Sequence, residues 1–205
     1  MFAPGRLSRR LRGVTLIELM ITVAIIAILA TLAAPSFRDM IVRNQLSALS
    51  NELMVALQYA RSEAINRRGT VTLCRSANGI GCATAGGWEQ GWIVFHDLDG
   101  DGTVDGPVVG PPAQPADAVL RVWPAASPGY TVRTDAGIGA RLRYDPRGQA
   151  RETGFFILCH ARQADPLINS RALVVTTMRP RLATDRNGDR IPETDANANY
   201  STCTP

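Results

Sequence analysis

The chain has 205 residues, and all 22 of its basic residues are arginines, set against 18 acidic ones for a formal charge of +4. With 45% hydrophobic and 20% charged residues, bulk disorder and collagen-like repeats are excluded, and the length suits one domain with an appendage. The charge excess lies entirely in residues 1–13, where Arg6, Arg9, Arg10 and Arg12 meet no carboxylate; the remaining chain carries 18 arginines and 18 carboxylates. The overall charge is therefore a poor guide to partners, and the balance in the rest of the chain argues against strong general affinity for nucleic acid.

Residues 14–34, VTLIELMITVAIIAILATLAA, form an apolar run broken by Thr15, Thr22, Thr31 and Glu18. As a helix the run would span roughly 30 Å, enough for a bilayer core. The arginines before it would keep the N-terminus cytoplasmic and send the remainder outward. A cleaved secretory signal fits less well, because the helical pattern continues past the run. Glu18 is the anomaly, since a carboxylate at the centre of an inserted helix costs about 2.5–3.5 kcal/mol and calls for a cationic partner. Cutting after Gly13 would create an α-amine at Val14, one helical turn from Glu18, in the same chain or a neighbour.

Gly13 followed by VTLIE, with Pro35 as the twenty-second residue after Gly13, resembles the class III leader of type IV pilins and type II secretion pseudopilins. The resemblance implies cleavage after Gly13 and N-methylation of Val14 by a membrane prepilin peptidase. It also implies that Glu18 helps dock the subunit into a helical filament. Val14 departs from the family pattern, where Phe is more usual.

The helical pattern continues. Leu46, Leu49, Leu53, Leu57, Ala60 and Ala64 recur at three- and four-residue intervals, the stripe of an amphipathic helix. Arg67 and Arg68 suit the negative end of its dipole, and Gly69 is expected to supply a left-handed cap. Pro35 is expected to kink or loosen a helix running from about residue 14 to 68, roughly 80 Å in length. Beyond Gly69, short β-rich segments are separated by Gly, Pro and Asp. Strands are expected over 70–75, 91–96, 118–123, 130–133, 140–145, 155–160 and 171–177, forming an antiparallel sandwich with no second helix. The segment GPVVGPPAQPAD, residues 106–117, reads as an exposed connector.

The phrase SNELMVALQYARSEAINRRGTVTLC, followed by GGWEQGWIVF and later RALVV, resembles the GspH/FimT family of minor pilins and pseudopilins. That resemblance implies an α+β, pilin-like fold, with a long N-terminal helix packed on a C-terminal antiparallel β-sandwich and its first half spanning the membrane. The implied organisation is a leader over 1–13, a transmembrane or filament-core helix over 14–35, its amphipathic continuation over 36–68 and a periplasmic β-rich domain over 69–205. The implied partners are other pilins or pseudopilins, the prepilin peptidase and the bacterial inner membrane. The implied role is assembly of a type IV pilus, with DNA uptake as an added role; a type II secretion pseudopilin and an anchored periplasmic binding module are the alternatives.

Four cysteines on the side that the topology places outside the cytoplasm favour disulfides. Of three pairings, the short loop favours Cys74 with Cys82, leaving Cys159 to tie the tail through Cys203. Zinc is disfavoured because no C-x-x-C occurs and His160 would face away from Cys159 on a strand. DLDGDGTVD places Asp97, Asp99, Asp101 and Asp105 like the first half of a calcium loop, but Val108 stands where an EF-hand needs its bidentate Glu. An Asp/Gly turn is the preferred reading there. DRNGDRIPE, with Asp185, Asn187, Asp189 and Glu193, is a second stretch of this kind.

In the transformation-linked branch of the resembled family, a Gly-Arg-x-Arg motif contacts DNA. Here the segment is MRPR, with Met178 in place of Gly, so Arg179 and Arg181 are candidate phosphate contacts that Arg171, Arg186 and Arg190 could extend. Asp185 and Asp189 oppose that field, no aromatic residues alternate with the arginines, and a solvated arginine edge is an equal reading. Catalysis finds little support. His96 and His160 lack a nucleophile motif, His96 with Asp97 suits a local hydrogen bond, and no phosphate loop occurs. Trp88 and Trp92 are expected to serve packing.

Overall fold

The computed structural model describes residues 13–107, 116–161, 167–193, 199–200 and 203, with the backbone alone for 32–36. The chain divides after Ile41 into two compact units. One helix, α1 (Leu16–Arg67), supplies most of the described first unit and the opening segment of the second.

In the first unit the polar residues of the apolar run are absorbed by the helix itself. Thr15 precedes α1, and its Oγ1 accepts from the Glu18 amide at 3.3 Å while its carbonyl accepts from Leu19 N at 3.1 Å. This is the N-terminal half of a capping box, with Glu18 at the third helical position and near the positive end of the dipole. The hydroxyls of Thr22 and Thr31 donate to the Leu19 and Ile28 carbonyls at 2.8 and 2.7 Å, so neither leaves an unmet donor along the apolar surface. The large apolar side chains from Val14 to Leu29 are 52–76% exposed. Helical assignment runs unbroken through Pro35.

Among the described residues no helix is long and apolar enough to cross a membrane. The expected span over 14–35 runs into residues 32–36, whose side chains lie outside the described residues. Arg6, Arg9, Arg10 and Arg12 lie outside the described residues.

The second unit begins with the amphipathic half of α1. Leu46, Leu49, Leu53, Ala56, Leu57, Ala60 and Ala64 are buried, which places the predicted stripe in the core. The expected cap at Gly69 is corrected. The left-handed residue is Arg68, at φ 53°, while the Gly69 amide reaches back to the Ala64 carbonyl at 3.3 Å. A Cβ at 69 would meet His96 Nε2, so a larger residue there must displace that ring.

Eight strands follow among the described residues: β1 (Thr70–Arg75), β2 (Trp92–Asp97), β3 (Ala118–Trp123), β4 (Tyr130–Thr134), β5 (Arg141–Tyr144), β6 (Gly154–His160), β7 (Arg171–Val175) and β8 (Pro180–Leu182). They form two four-stranded antiparallel sheets, ordered β3-β2-β1-β5 and β4-β6-β7-β8. A 3-10 turn over Trp88–Gln90 precedes β2. β8 was not expected from sequence, and the strand expected over 171–177 ends at Val175, where the Thr176–Arg179 turn begins.

Period-two alternation sorts the strand residues into faces. Val71, Leu73, Trp92, Val94, Phe156, Leu158, Leu173 and Val175 share one core with the α1 leucines, so both sheets close on the same helical stripe. Each fully buried Leu in that stripe contributes about 1.5–3 kcal/mol of transfer free energy. The alternate residues form two smaller clusters on the other faces. Cys74, Ile93 and Phe95 lie on the first sheet, and Ile157, Cys159 and Ala172 on the second with Tyr200 and Cys203.

Candidate functional site

The predicted assembly residues stand at the start of α1. Gly13 and Val14 precede the helix in exposed backbone, with Val14 69% exposed, and Glu18 lies in the first turn. The motif thus presents an accessible peptide bond ahead of a row of uncovered apolar side chains. Pro35 lies within α1, and its side chain is outside the description.

Both expected disulfides are present, Cys74–Cys82 and Cys159–Cys203, and each joins an outward-facing strand residue to the segment covering that sheet. Among the described residues no cysteine is left free for zinc.

The DLDGDGTVD segment is held as a turn. The buried Asp97 carboxylate accepts from Thr72 Oγ1 at 2.6 Å and from the Gly100 and Gly102 amides at 2.8 and 3.0 Å. Burial pushes its pKa above the ordinary Asp value, against these hydrogen bonds. Its partner is Thr72 rather than His96, since adjacent strand residues point to opposite faces. Asp101 accepts from the Thr103 hydroxyl and amide, which lower its pKa. Asp97, Asp99 and Asp101 can bring one ligand atom each to a common point, whereas Asp105 does not join them. Val108 lies outside the described residues. The DRNGDRIPE segment is likewise bonded internally. Asp185 accepts from the Gly188 and Arg190 amides, and the buried Glu193 accepts from the Arg186 and Asn187 amides at 2.6 and 3.0 Å.

The candidate DNA-contacting arginines do not form one face. Arg179 and Arg181 flank Pro180 at the β7–β8 hairpin and line a groove of about 520 Å³ with Gln58, Arg61, Ser62 and Ile65 of α1. Arg61, which sequence reasoning missed, is fixed by donating Nε to the Gly148 carbonyl at 2.9 Å. Arg171 lines a different pocket, of about 180 Å³, with Arg43 and Arg190. Arg186 lines neither of these two.

Trp88 and Trp92 are core residues, as expected. Trp88 donates Nε1 to the Gly139 carbonyl at 2.9 Å, and Trp92 stacks on Trp123. The neighbouring Glu89 bonds the Arg133 guanidinium and accepts from the Val132 amide at 3.1 Å, joining the turn before β2 to β4 of the other sheet. Burial raises the Glu89 pKa, but Arg133 and the Val132 amide outweigh it and hold the group below the ordinary Glu value.

A family model described as Type II transport protein GspH matches residues 49–178, and one described as a prokaryotic N-terminal methylation motif matches residues 8–34. Fimbrial protein EcpC of Eikenella corrodens is 37% identical over 83 residues, covering 40% of this chain and 54% of the relative. Fimbrial protein Q of Moraxella bovis is 41% identical over 80 residues, covering 37% of this chain and 50% of the relative. The chain thus spans about half the length of the curated relatives it matches. Among solved structures, the type IV minor pilin FimU of Pseudomonas aeruginosa aligns with TM-score 0.50 at 21% identity, covering 69% of this chain and 90% of that one, a likeness of fold. With that fold in place and more than half of its length matched, the chain belongs to the GspH family of pilin-like proteins, with an N-terminal methylation motif ahead of the family domain.

Proposed function

We propose that this chain is a non-enzymatic prepilin that becomes a minor pilin or pseudopilin once residues 1–13 are removed. The observation that carries the reading is the methylation motif at the head of a helix whose apolar side chains from Val14 to Leu29 are uncovered. A soluble domain does not leave so continuous an apolar surface to water, so the surface calls for lipid before assembly and neighbouring helices after it. In this reading a prepilin peptidase of the inner membrane cuts after Gly13 and methylates Val14. The new amine of one subunit then meets Glu18 of another, and the β-rich domain stands in the periplasm or on the filament. Intact-mass measurement of the protein from cells tests the processing step. Loss of residues 1–13 with one added methyl group is expected, and retention of the leader would remove the filament reading. Glu18→Ala is expected to leave cleavage intact while abolishing co-purification with other filament subunits.

The family description names type II transport, whereas the curated relatives are fimbrial. Pilus assembly is preferred for this chain because two curated fimbrial relatives are 37% and 41% identical over their matched regions. Loss of twitching and transformation on deletion, with exoprotein secretion retained, is expected; the converse would reassign the subunit to secretion. A second reading, contact with the phosphate backbone of DNA, is favoured by the convergence of Arg61 with Arg179 and Arg181 along one groove. Arg61→Ala combined with Arg179→Ala is expected to weaken duplex retention at low salt, and unchanged retention would remove this reading.

A further inference from the structure

The pocket that holds Arg171 has a chemistry separate from the hairpin groove. It lies where α1, the start of β7 and the 183–192 segment meet, and two cationic side chains, Arg171 and Arg190, line it with one carboxylate, Asp185, beside Arg43, which already has a partner. That carboxylate is already engaged by the Gly188 and Arg190 amides at 2.7 and 2.9 Å. Arg171 is steadied on the helix side by donating Nη2 to Ser47 Oγ at 3.2 Å, and the Arg190 guanidinium has no hydrogen-bond partner among the described residues. Ser170, which also lines the pocket, is 4% exposed, and its buried hydroxyl has no hydrogen-bond partner. Buried hydroxyls are ordinarily paired, and an orphaned one costs about 1–3 kcal/mol.

The backbone holds this arrangement at some cost. Asn169 and Arg190 both have positive φ, 64° and 70°, and the Asn169 amide donates to the Arg190 carbonyl at 2.9 Å. A non-glycine residue in the left-handed region is sparsely populated and persists where its surroundings over-determine it. That hydrogen bond brings the 183–192 segment against the start of β7 and places Arg190 beside Arg171 in one pocket.

We propose that this pocket binds a phosphate-type oxyanion, with the guanidinium groups of Arg171 and Arg190 supplying forked donors and the Ser170 hydroxyl its missing hydrogen bond. Planar guanidinium forks match the tetrahedral oxygens of phosphate, and the excess of positive charge selects an anion over a neutral ligand. Free phosphate and a lipid phosphate headgroup share this chemistry. Arg43 follows the apolar run by nine residues, which makes a lipid source worth a separate arm of the test.

Full-length protein in neutral detergent micelles, free of phosphate, is titrated calorimetrically with inorganic phosphate, and the titration is repeated in micelles doped with phosphatidic acid. Saturable one-site binding is expected. Arg171→Gln should weaken it about tenfold or more, the scale of a lost charge-assisted bidentate contact. Ser170→Ala should weaken it several-fold while leaving the unfolding temperature unchanged or raised, since the substitution removes an orphaned hydroxyl. Arg147→Ala, at an exposed position that lines neither groove, should leave binding unchanged. Displacement of phosphate by phosphatidic acid identifies a lipid headgroup as a ligand of the pocket, and undiminished phosphate binding identifies the free anion. The proposal is overturned by absence of saturable binding, by equal loss on Arg147→Ala, or by a Ser170→Ala variant that melts lower and binds phosphate as before. Binding of duplex DNA in place of inorganic phosphate would overturn it too.

Discussion

The two sheets bury their inner faces in one core and solve the problem of their outer faces differently. Over β1 and β2, Ile93 and Phe95 are covered by nearby segments dense in hydrogen bonds. Arg75 donates to the Ala83, Thr84 and Gly86 carbonyls, Ser76 and Asn78 tie the turn that follows, and Arg141 and Arg143 reach the Asp101 and Gly100 carbonyls. The disulfide there closes a sequence separation of only 8. Over β6 and β7, the cover comes from the far C-terminal tail, through Tyr200 against Phe155 at 4.4 Å and a disulfide with a separation of 44. A local cover can be held by many short-range bonds. A distant one must first overcome the entropy of a long closed loop, which a covalent bond removes from the unfolded state.

The largest test of that contrast is the double substitution Cys159→Ser with Cys203→Ser. Chain-entropy arithmetic puts the loss at about 4 kcal/mol, and hydrogen exchange should accelerate along β6 and β7 while β1 and β2 stay protected. Cys74→Ser with Cys82→Ser should cost less, about 2.6 kcal/mol by the same arithmetic, and leave its cover in place because the arginine network remains. Chemical denaturation of both variants checks the order, and a reversed order would break the contrast. Tyr200→Ala removes the aromatic contact while keeping the crosslink, so about 1–3 kcal/mol should be lost and the tail should become sensitive to protease.

The smallest expected effect is a difference in the sign of pH dependence. Glu89 has a depressed pKa in the fold, so its contribution is present above the ordinary value of 4.5 and is lost as pH falls through the lower folded value. Asp97 has a raised pKa, so its contribution is complete below the ordinary value of 3.8 and is lost as pH rises through the higher folded value. Urea midpoints followed from pH 3 to 6 should therefore lose part of their acid sensitivity in Glu89→Gln. In Asp97→Asn the remaining profile should fall more steeply on acidification, and matching slopes in the two variants would contradict these assignments.

Where chemistry and period coincide locally, the sequence is readable. The α1 stripe, seven of the strands and the cysteine pairing all follow from spacing or loop length. β8 was missed because it has three residues and opens on Pro180, a residue that ordinarily argues against a strand. The cap was misassigned because Gly69 looks like a left-handed residue, whereas its small size answers to His96 from another strand. The arginines show the same limit. Arg179 and Arg181 are visible as a pair, but Arg61 joins them only through folding, and Arg171 turns out to belong with Arg43 and Arg190. Glu18 reads as a filament contact, while its place opposite Thr15 as a helix-start residue emerged only from the hydrogen bond between them.

The shared helical core also sets an order of events during synthesis. The stripe from Leu46 to Ala64 emerges from the ribosome early, yet the strands that close over it extend to Val175, more than a hundred residues later. Contacts of such sequence separation form slowly and leave apolar surface open to wrong partners until they do. The nascent chain therefore carries two sticky stretches in succession, the run over 14–34 and the stripe over 46–64, and the second is resolved by the chain's own later residues.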